Sequence, residues 1–550
     1  MPLNNESLQK ESASDGSSDK PLQVNRASGK HGKPLWIFLL MTAVVCGGLI
    51  MVIEVLGSRV IGPFFGVSLF VWTSLITVTL ITLASGYGVG GMLSDRRESP
   101  AYLYGIILLA SVFILLVPAL KGPVLKACVP LGLRGGAFAS ALLLFGPSLF
   151  LLGCVSPYLA KIATHELHRL GRVVGGLYAL STVGSTIGTV LTGFVLIAFL
   201  GVDSIFLVIG VALLLLSVSY FIFFERRYWA ALLLLLPLLL YHPVSHKQLT
   251  RADGTKVTLV HQHDSYYGDV KVVDYSYGPR HVRELLIDGM IQGGVDMANQ
   301  LSLYEYSYYI QFLSTMLNPD GKTCLAIGLG TGVVPRWFEQ QGVSCDVVDI
   351  DPDVIQVAKQ YFNFKASGHI ATQDARYYLE ATHKHYDYIV LDVFNGDVTP
   401  AHLLSIEALR LLKTRLAPEG VVAINLIGST RQHTFMTASV VKTVQAVFDQ
   451  VEVYPTYEVA SNQGIGNLIL VAYQGKPRQL QSARLKSIDI HPRLEKSVRA
   501  QLGTRFTFPA GTPAIVLTDD YNPIDFYDSW LREYIRNGLL KGMDWDILIG

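Results

Sequence analysis

Cysteine is scarce. The 550 residues hold five, Cys46, Cys128, Cys154, Cys324 and Cys345, and no two have a paired spacing. That excludes a disulfide framework and a zinc site built on paired thiolates, and leaves buried, reduced thiols as the reading. Excess charge is missing too: 44 Lys and Arg stand against 43 Asp and Glu, a formal net charge of +1. Nucleic-acid binding needs a basic stripe, and a balanced chain supplies none. Long apolar runs are absent after residue 241, whereas before it they dominate, and half of all residues are hydrophobic. The chain therefore reads as two parts adapted to two solvents.

Residues 1–34 are polar, rich in Ser, Asn, Lys and Gly without periodicity, and are expected to stay unfolded. The first apolar run ends without a small-residue cleavage pattern, so a removable signal peptide is not expected. A helix of about 20 apolar residues spans hydrocarbon. Six segments within 35–241 reach that length: 35–56, 69–93, 101–120, 137–162, 173–200 and 205–224. The stretch 229–241 is shorter and contains Pro237, so it reads as an interfacial or re-entrant helix, or as a tilted seventh span. Lys30, Lys33, Arg96, Arg97, Lys161, Arg169, Arg172, Arg226 and Arg227 would share one face; Arg59, Lys121, Lys126 and Arg134 would share the other. The richer set is expected on the cytoplasmic face of a cell-membrane protein. Six spans put the C-terminal half on that face, where soluble co-substrates are available, and seven put it outside; six is preferred for that reason. Glu54 reads as an interfacial partner of Arg59 rather than as a transport residue.

From 250 to 318 short alternating stretches at 256–261, 269–274 and 282–287 predict a small antiparallel sheet, followed by a helix over 303–317. From 319 to 535 strands and helices alternate, which predicts a parallel sheet with helices on both faces. Its first strand, 323–327, runs into Gly328-Leu329-Gly330-Thr331-Gly332 and then a helix. Glycines suit a sharp turn that lets a ligand reach backbone N–H groups at a helix N-terminus. The second strand, 345–350, ends at Asp349, about 20 residues past the glycines, where a carboxylate can accept from ribose hydroxyls. Asp374, followed by Ala375, ends the third strand, and Asp392 ends the fourth, 388–391. Three acids on successive strand ends converge on the edge where open α/β sheets bind ligands. Strands at 421–426, 451–457 and 467–473, the last two as a hairpin, complete the arrangement of class I S-adenosylmethionine-dependent methyltransferases. A third Gly at the dinucleotide spacing is lacking, which disfavours a dehydrogenase.

The run 264–427 resembles the spermidine synthases, the polyamine aminopropyltransferases, and the whole chain resembles their membrane-fused bacterial relatives. The resemblance rests on Ser265-Tyr266-Tyr267-Gly268, Leu286-Ile287-Asp288-Gly289-Met290-Ile291-Gln292, Tyr304-Glu305-Tyr306, the glycine turn, Val348-Asp349-Ile350-Asp351, Asp374 and Leu391-Asp392 through Asp397 and Pro400. Glu54-Val55-Leu56-Gly57-Ser58-Arg59 and Leu517-Thr518-Asp519-Asp520-Tyr521-Asn522-Pro523 carry the fused subgroup. It implies that Asp349 holds the ribose, Asp374 and Ala375 the adenine, and that Gly328, Gly330 and Thr331 complete the donor site. It implies further that Asp392 accepts the nucleophile's proton and that Gln292, Tyr304, Glu305, Asn395 and Asp397 face the acceptor. The pattern departs from the family at several points. Thr331 stands where the synthases' Gly-Gly-Gly-Asp-Gly-Gly carries the Asp that binds the donor's amine. Gly268 replaces a Gln, Glu305 a His or Gln, and Asn395 the second Asp of Asp-Ser-Ser-Asp, for which Asp397 is the substitute.

The implied reaction is aminopropyl transfer from decarboxylated S-adenosylmethionine to a diamine such as putrescine, giving spermidine and 5′-methylthioadenosine, with no metal. Methyl transfer from S-adenosylmethionine to an amine or a membrane-associated acceptor is a second reading. A transporter or sensor whose domain only binds adenosyl ligands or polyamines is a third. The expected partners are a small amine, the lipid bilayer and further copies of the chain, since soluble family members are dimers or tetramers.

Overall fold

The computed structural model describes residues 32–66, 69–163, 170–240, 248–394, 399–460, 462–481, 488–542, 544 and 547. The expected unfolded segment 1–34 lies outside them except for 32–34, which open the first helix.

The apolar part folds as helices α1 (Gly32–Phe65), α2 (Leu69–Arg96), α3 (Pro100–Cys128), α4 (Gly132–Ala163), α5 (Leu170–Leu191), α6 (Ile197–Phe199) and α7 (Val202–Phe223). A π-helical turn, Thr192–Leu196, joins α5 to α6, so the two make one rod. All six expected segments fall in these rods. Segments 33–65, 69–96, 171–196 and 202–223 are each long and apolar enough to cross a bilayer, by length and composition; 100–163 is one continuous stretch that α3 and α4 share across a short turn at Val129–Leu131. Helices apolar all round pack through small residues. Side chains on Gly48 and Gly188 would enter the backbone of the facing helix, and so would one on Gly86 against Phe150, so α1 meets α5 and α2 meets α4 at backbone distance.

The remainder of the chain docks on one end of this bundle. Arg59, late in α1, donates to Ser265 O over 3.0 Å and to Tyr266 O, and Arg536 donates to Pro63 O over 2.8 Å. Leu133 N at the start of α4 donates to Glu533 Oε1 (3.0 Å), and Val202 N at the start of α7 donates to Asp264 Oδ2 (3.0 Å). Lys161, bonded to Asp95 at 3.1 Å, marks the opposite end, together with Arg96, Arg97 and the far end of α7. The chain therefore has to return along the bundle before its first strand. A 3₁₀ segment, Tyr228–Leu235, and α8 (Leu236–Leu240) take this path, with Ala230, Leu233 and Leu236 packed against Leu214 and Val218. This apolar stretch is shorter than the helices long enough to cross a bilayer, and the sequence leaves it as an interfacial or re-entrant helix or a seventh span. Its 3₁₀ part rises about 2.0 Å per residue instead of the about 1.5 Å of an α-helix, so it reaches further than an α-helix of the same length. The domain thus sits at the end away from Arg96, Arg97 and Arg226.

A five-stranded antiparallel meander follows: β1 (Gln248–Thr250), β2 (Lys256–Asp264), β3 (Asp269–Tyr277), β4 (Arg280–Ile287) and β5 (Met290–Asp296). The three expected strands are β2, β3 and β4. The fifth escaped the sequence pattern because Gly293 and Gly294 interrupt its alternation. β4 and β5 turn on Asp288 and Gly289, both at positive φ (48° and 71°), as a type I′ hairpin requires. Helix α9 (Glu305–Leu317) leads on to the large sheet.

That sheet alternates β6 (Thr323–Ile327), α10 (Val333–Gln340), β7 (Ser344–Asp349), α11 (Pro352–Tyr361), β8 (Ile370–Thr372), α12 (Ala375–Ala381), β9 (Tyr386–Leu391), α13 (Ile406–Thr414), β10 (Leu416–Ser429), α14 (Phe435–Gln445), β11 (Gln450–Pro455) and β12 (Ile465–Tyr473). Strand order is β11-β12-β10-β9-β6-β7-β8, with β12 antiparallel to both neighbours and the remaining pairs parallel. The strands at its centre are buried on both faces, Leu325, Ile389 and Ile424 on one and Cys324, Val390 and Ala423 on the other, as a helix-covered sheet demands. This is a mixed-sheet, Rossmann-like methyltransferase fold. Winding reverses between β6 and β9, so their carboxyl ends open a crevice. Among the described residues, α15 (Glu495–Gln501), α16 (Ile524–Tyr527) and α17 (Ser529–Gly542) follow.

Candidate active site

The site begins with the glycine turn. Gly328, Gly330 and Gly332 take φ of 88°, 53° and 73°, a region closed to most L side chains. At Gly328 a Cβ would also strike the carbonyl of Asp392, so this glycine lets the β6 turn and the end of β9 lie against each other. Asp392 N donates to Ile327 O over 2.9 Å, which fixes that contact.

Asp349 ends β7 and holds the turn in place. Its Oδ2 accepts from Leu329 N (2.8 Å) and its Oδ1 from Asp351 N (2.9 Å). Burial, helped by the Asp351 charge, raises its carboxyl to about 6, although these N–H groups pull the other way. Each carboxylate oxygen accepts about two hydrogen bonds, so the pair keeps capacity for a ribose diol. Asp351 caps α11 by accepting from Asp353 N at 2.9 Å, and its Oδ2 accepts from Ser265 Oγ at 2.7 Å, which ties the meander to the site.

Asp374 caps α12, its Oδ1 accepting from Arg376 N (2.8 Å) and Tyr377 N (3.1 Å), while Oδ2 faces His402 Nε2 at 3.1 Å. Asp392 follows the last residue of β9. Burial raises its carboxyl to about 6, opposed by the Asn425 amide, whose Nδ2 donates to Oδ1 over 2.8 Å. Tyr306 donates to Gln292 O at 3.1 Å, and burial together with the Asp392 charge keeps its phenol protonated.

These groups surround a cleft of about 600 Å³. Of the residues singled out in the sequence, Gly328, Gly330, Thr331, Asp349 and Asp374 line it, as do Ala375, Gln292 and Asp392. Tyr304 and Glu305 do not: the Tyr304 hydroxyl donates to Glu284 Oε1 over 2.7 Å instead, and Glu305 opens α9. Asn395 and Asp397 lie outside the described residues. Sequence reasoning left out Tyr267, Tyr306, His402 and Arg532, which also line the cleft. Tyr267 and Tyr306 were within reach, since both belong to the motifs that carried the resemblance. His402 and Arg532 had no local signal, because only tertiary folding brings them to this edge. Among the described residues, no group of three or more His, Cys, Asp or Glu is placed to hold a metal ion.

The glycine turn and the three strand-end acids occupy the carboxyl edge of the large sheet, to which Ser265 ties the meander, and residues 303–466 match the family model described as the spermine/spermidine synthase domain. The C-terminal part carries a spermidine synthase domain. It is homologous to the polyamine aminopropyltransferases: the one from Vibrio vulnificus is 27% identical over 242 residues, 42% of this chain and 78% of that protein. The N-terminal histidine N-methyltransferase of Emericella nidulans is 35% identical over 133 residues, 23% of this chain, so the chain spans about a quarter (24%) of that protein's length. A probable spermidine synthase from Corynebacterium glutamicum, of known structure, is 19% identical with a TM-score of 0.37, covering 50% of this chain and 92% of that one. Both groups of sequence relatives are transferases, and the spermidine synthase domain is a transferase domain.

Proposed function

We propose that the chain is a membrane-associated aminopropyltransferase, moving the aminopropyl group of decarboxylated S-adenosylmethionine to a diamine such as putrescine. The observation that supports it best is the enclosed Asp392 at the mouth of β9, facing a cleft whose other strand ends carry Asp349 and Asp374. Asp349 would hold the ribose and Asp374 the adenine, with the N–H groups of the glycine turn beside them. The bound sulfonium supplies an activated methylene and a leaving group that departs as a neutral thioether.

The protein's work is then to free the amine and position it. Asp392 takes one proton from the incoming ammonium. The freed lone pair forms the new C–N bond as the C–S bond breaks, and the bond pair passes to sulfur. The products are 5′-methylthioadenosine, the triamine and, once Asp392 is regenerated, one proton. An alkylammonium titrates near 10.4, so a carboxyl at about 6 narrows the mismatch to about 4 units from the roughly 6 of an ordinary Asp. Burial thus makes Asp392 a better acceptor while leaving it ionised at neutral pH.

Methyl transfer from the intact sulfonium is favoured by one observation, the neutral and buried Thr331 in the glycine turn, which repels no carboxylate. Incubation of the purified full chain with each donor plus putrescine separates the two. Methylthioadenosine and spermidine from the decarboxylated donor are expected; S-adenosylhomocysteine from the intact donor alone would overturn the first reading in favour of the second.

A further inference from the structure

The turn 265–268 joins β2 to β3, and its Tyr267 lines the cleft. Burial and the charges of Asp351, Asp374 and Asp349 push the Tyr267 phenol up, so the ring stands on the side of the cleft where those three acids lie. Tyr266 and Tyr267 are 50% and 45% exposed. Little apolar packing fixes the turn, and its shape rests on hydrogen bonds. Within it, Ser265 Oγ accepts from Tyr267 N and Gly268 N, each at 3.0 Å. The bundle supplies more. Arg59, on α1, gives one terminal nitrogen to Ser265 O and the other to Tyr266 O. Val202 N, at the start of α7, donates to Asp264 beside the turn, and the Tyr266 hydroxyl reaches Phe194 O at 3.4 Å. Arg59 itself does not line the cleft.

We propose that Arg59 is a positioning residue for the donor site: from its membrane helix it fixes the turn that presents Tyr267 to the bound nucleoside. The proposal rests on the reading that the cleft binds an adenosyl ligand. A guanidinium suits two successive carbonyls because its two terminal nitrogens diverge in a rigid plane, a geometry that the single nitrogen of a lysine does not supply. Holding the turn before the ligand arrives removes the cost of ordering Tyr267 during binding, which would otherwise be subtracted from affinity. The effect falls on binding rather than on chemistry, because the acids that act on Tyr267 include Asp349 and Asp374, the two assigned to the nucleoside. The bundle is thereby part of the donor site as well as its anchor.

The test measures methylthioadenosine binding to the full chain in detergent, with Arg59→Lys and Arg59→Met read alone and in a Tyr267→Ala background. Arg59→Lys keeps the charge at the bundle's end and offers one nitrogen for two carbonyls; it decides the matter if Arg59→Met fails to fold. Tyr267→Ala should weaken the nucleoside about tenfold, and each Arg59 variant should weaken it about fivefold or more. In the Tyr267→Ala background the Arg59 changes should cost less than about a further twofold, because their effect passes through that ring. With decarboxylated donor and putrescine, Arg59→Lys should raise the donor KM by about fivefold and leave kcat within about twofold. If the unaltered chain binds methylthioadenosine but Tyr267→Ala or Arg59→Lys binds it equally well, the proposal is wrong and the adenosyl reading stands. Losses that multiply in the double variant also overturn it, since loosened docking acts with or without the ring, and so does a fall in kcat at unchanged KM. If the unaltered chain does not bind methylthioadenosine, the adenosyl reading fails and the proposal with it.

Discussion

Asn425 Nδ2 donates to Asp392 Oδ1 across 2.8 Å, and the Asn425 oxygen is itself held by Asn467 Nδ2 at 2.9 Å. Asn425 lies on β10 and Asn467 on β12, so two neighbouring strands aim one amide at the carboxyl that ends β9. An amide fixed at both ends cannot flip, and it leaves the second oxygen of Asp392 to face the cleft. The chain of bonds Asn467–Asn425–Asp392 therefore sets both the position and the proton affinity of the group assigned to take the proton.

Replacing Asp392 by Asn should separate turnover from binding. Asn keeps an oxygen for Asn425 but no charge to capture a proton, so turnover should fall roughly 100-fold or more, the ordinary worth of a positioned base. Affinity for methylthioadenosine should change little. Rate and binding lost in equal proportion would mean that Asp392 holds the nucleoside.

The same substitution should stabilise the folded chain at neutral pH. Burial raises the Asp392 carboxyl from 3.8 to about 6, so the folded state binds this proton more tightly than the unfolded one. That contribution is full below pH about 4 and lost as pH rises through about 6, leaving a penalty at pH 7.5 of up to about 3 kcal/mol. Asp392→Asn removes the penalty, and thermal unfolding at pH 7.5 should shift upward, by less at pH 4. A variant less stable at pH 7.5 would contradict this.

Turnover should follow the ionisation of the same group. With Asp392 titrating at about 6, the rate at saturating donor should be flat above pH about 7 and fall close to tenfold per unit below pH about 5. A profile without that acid limb would assign the proton elsewhere.

Asp349→Ala should weaken adenosyl ligands by on the order of 2 to 4 kcal/mol, because it removes two charge-assisted bonds to the ribose and also frees Leu329 N and Asp351 N, which shape the turn. Calorimetry of the variant that returned the original affinity would dismiss the site.

Sidedness gives a further expectation. A tag in the 97–99 loop and a tag after Lys541 should report from opposite faces of the membrane, since the domain docks at the ends of α1, α4 and α7 away from Arg96. Tags on one face would contradict the return of the chain through 228–240.

Much of this was legible in the sequence, for reasons that differ by element. Strand Thr323–Ile327 and its glycine turn could be read to the residue, because a short apolar run ending in Gly-x-Gly-x-Gly has few other folds. The strand-end acids followed from that register. The stretch 229–241 stayed open between an interfacial or re-entrant helix and a tilted seventh span, because hydropathy measures length as if every span were α-helical and 228–235 is 3₁₀. The dual duty of Asp374 as cap and site residue was equally hidden, and Arg532 could not be found at all, since it lies 140 residues beyond Asp392 and nothing near it in sequence announces the cleft they both line. Local pattern reveals what local sterics dictate; it is silent on what docking brings together.

The central claim is that an adenosyl sulfonium sits between the glycine turn, Asp349 and Asp392. Determining the structure of the full chain with 5′-methylthioadenosine tests it most directly. The expected result is ribose hydroxyls within hydrogen-bond distance of the Asp349 carboxylate and the sulfur directed toward Asp392. A nucleoside bound elsewhere, or a cleft left empty at millimolar ligand, would contradict it.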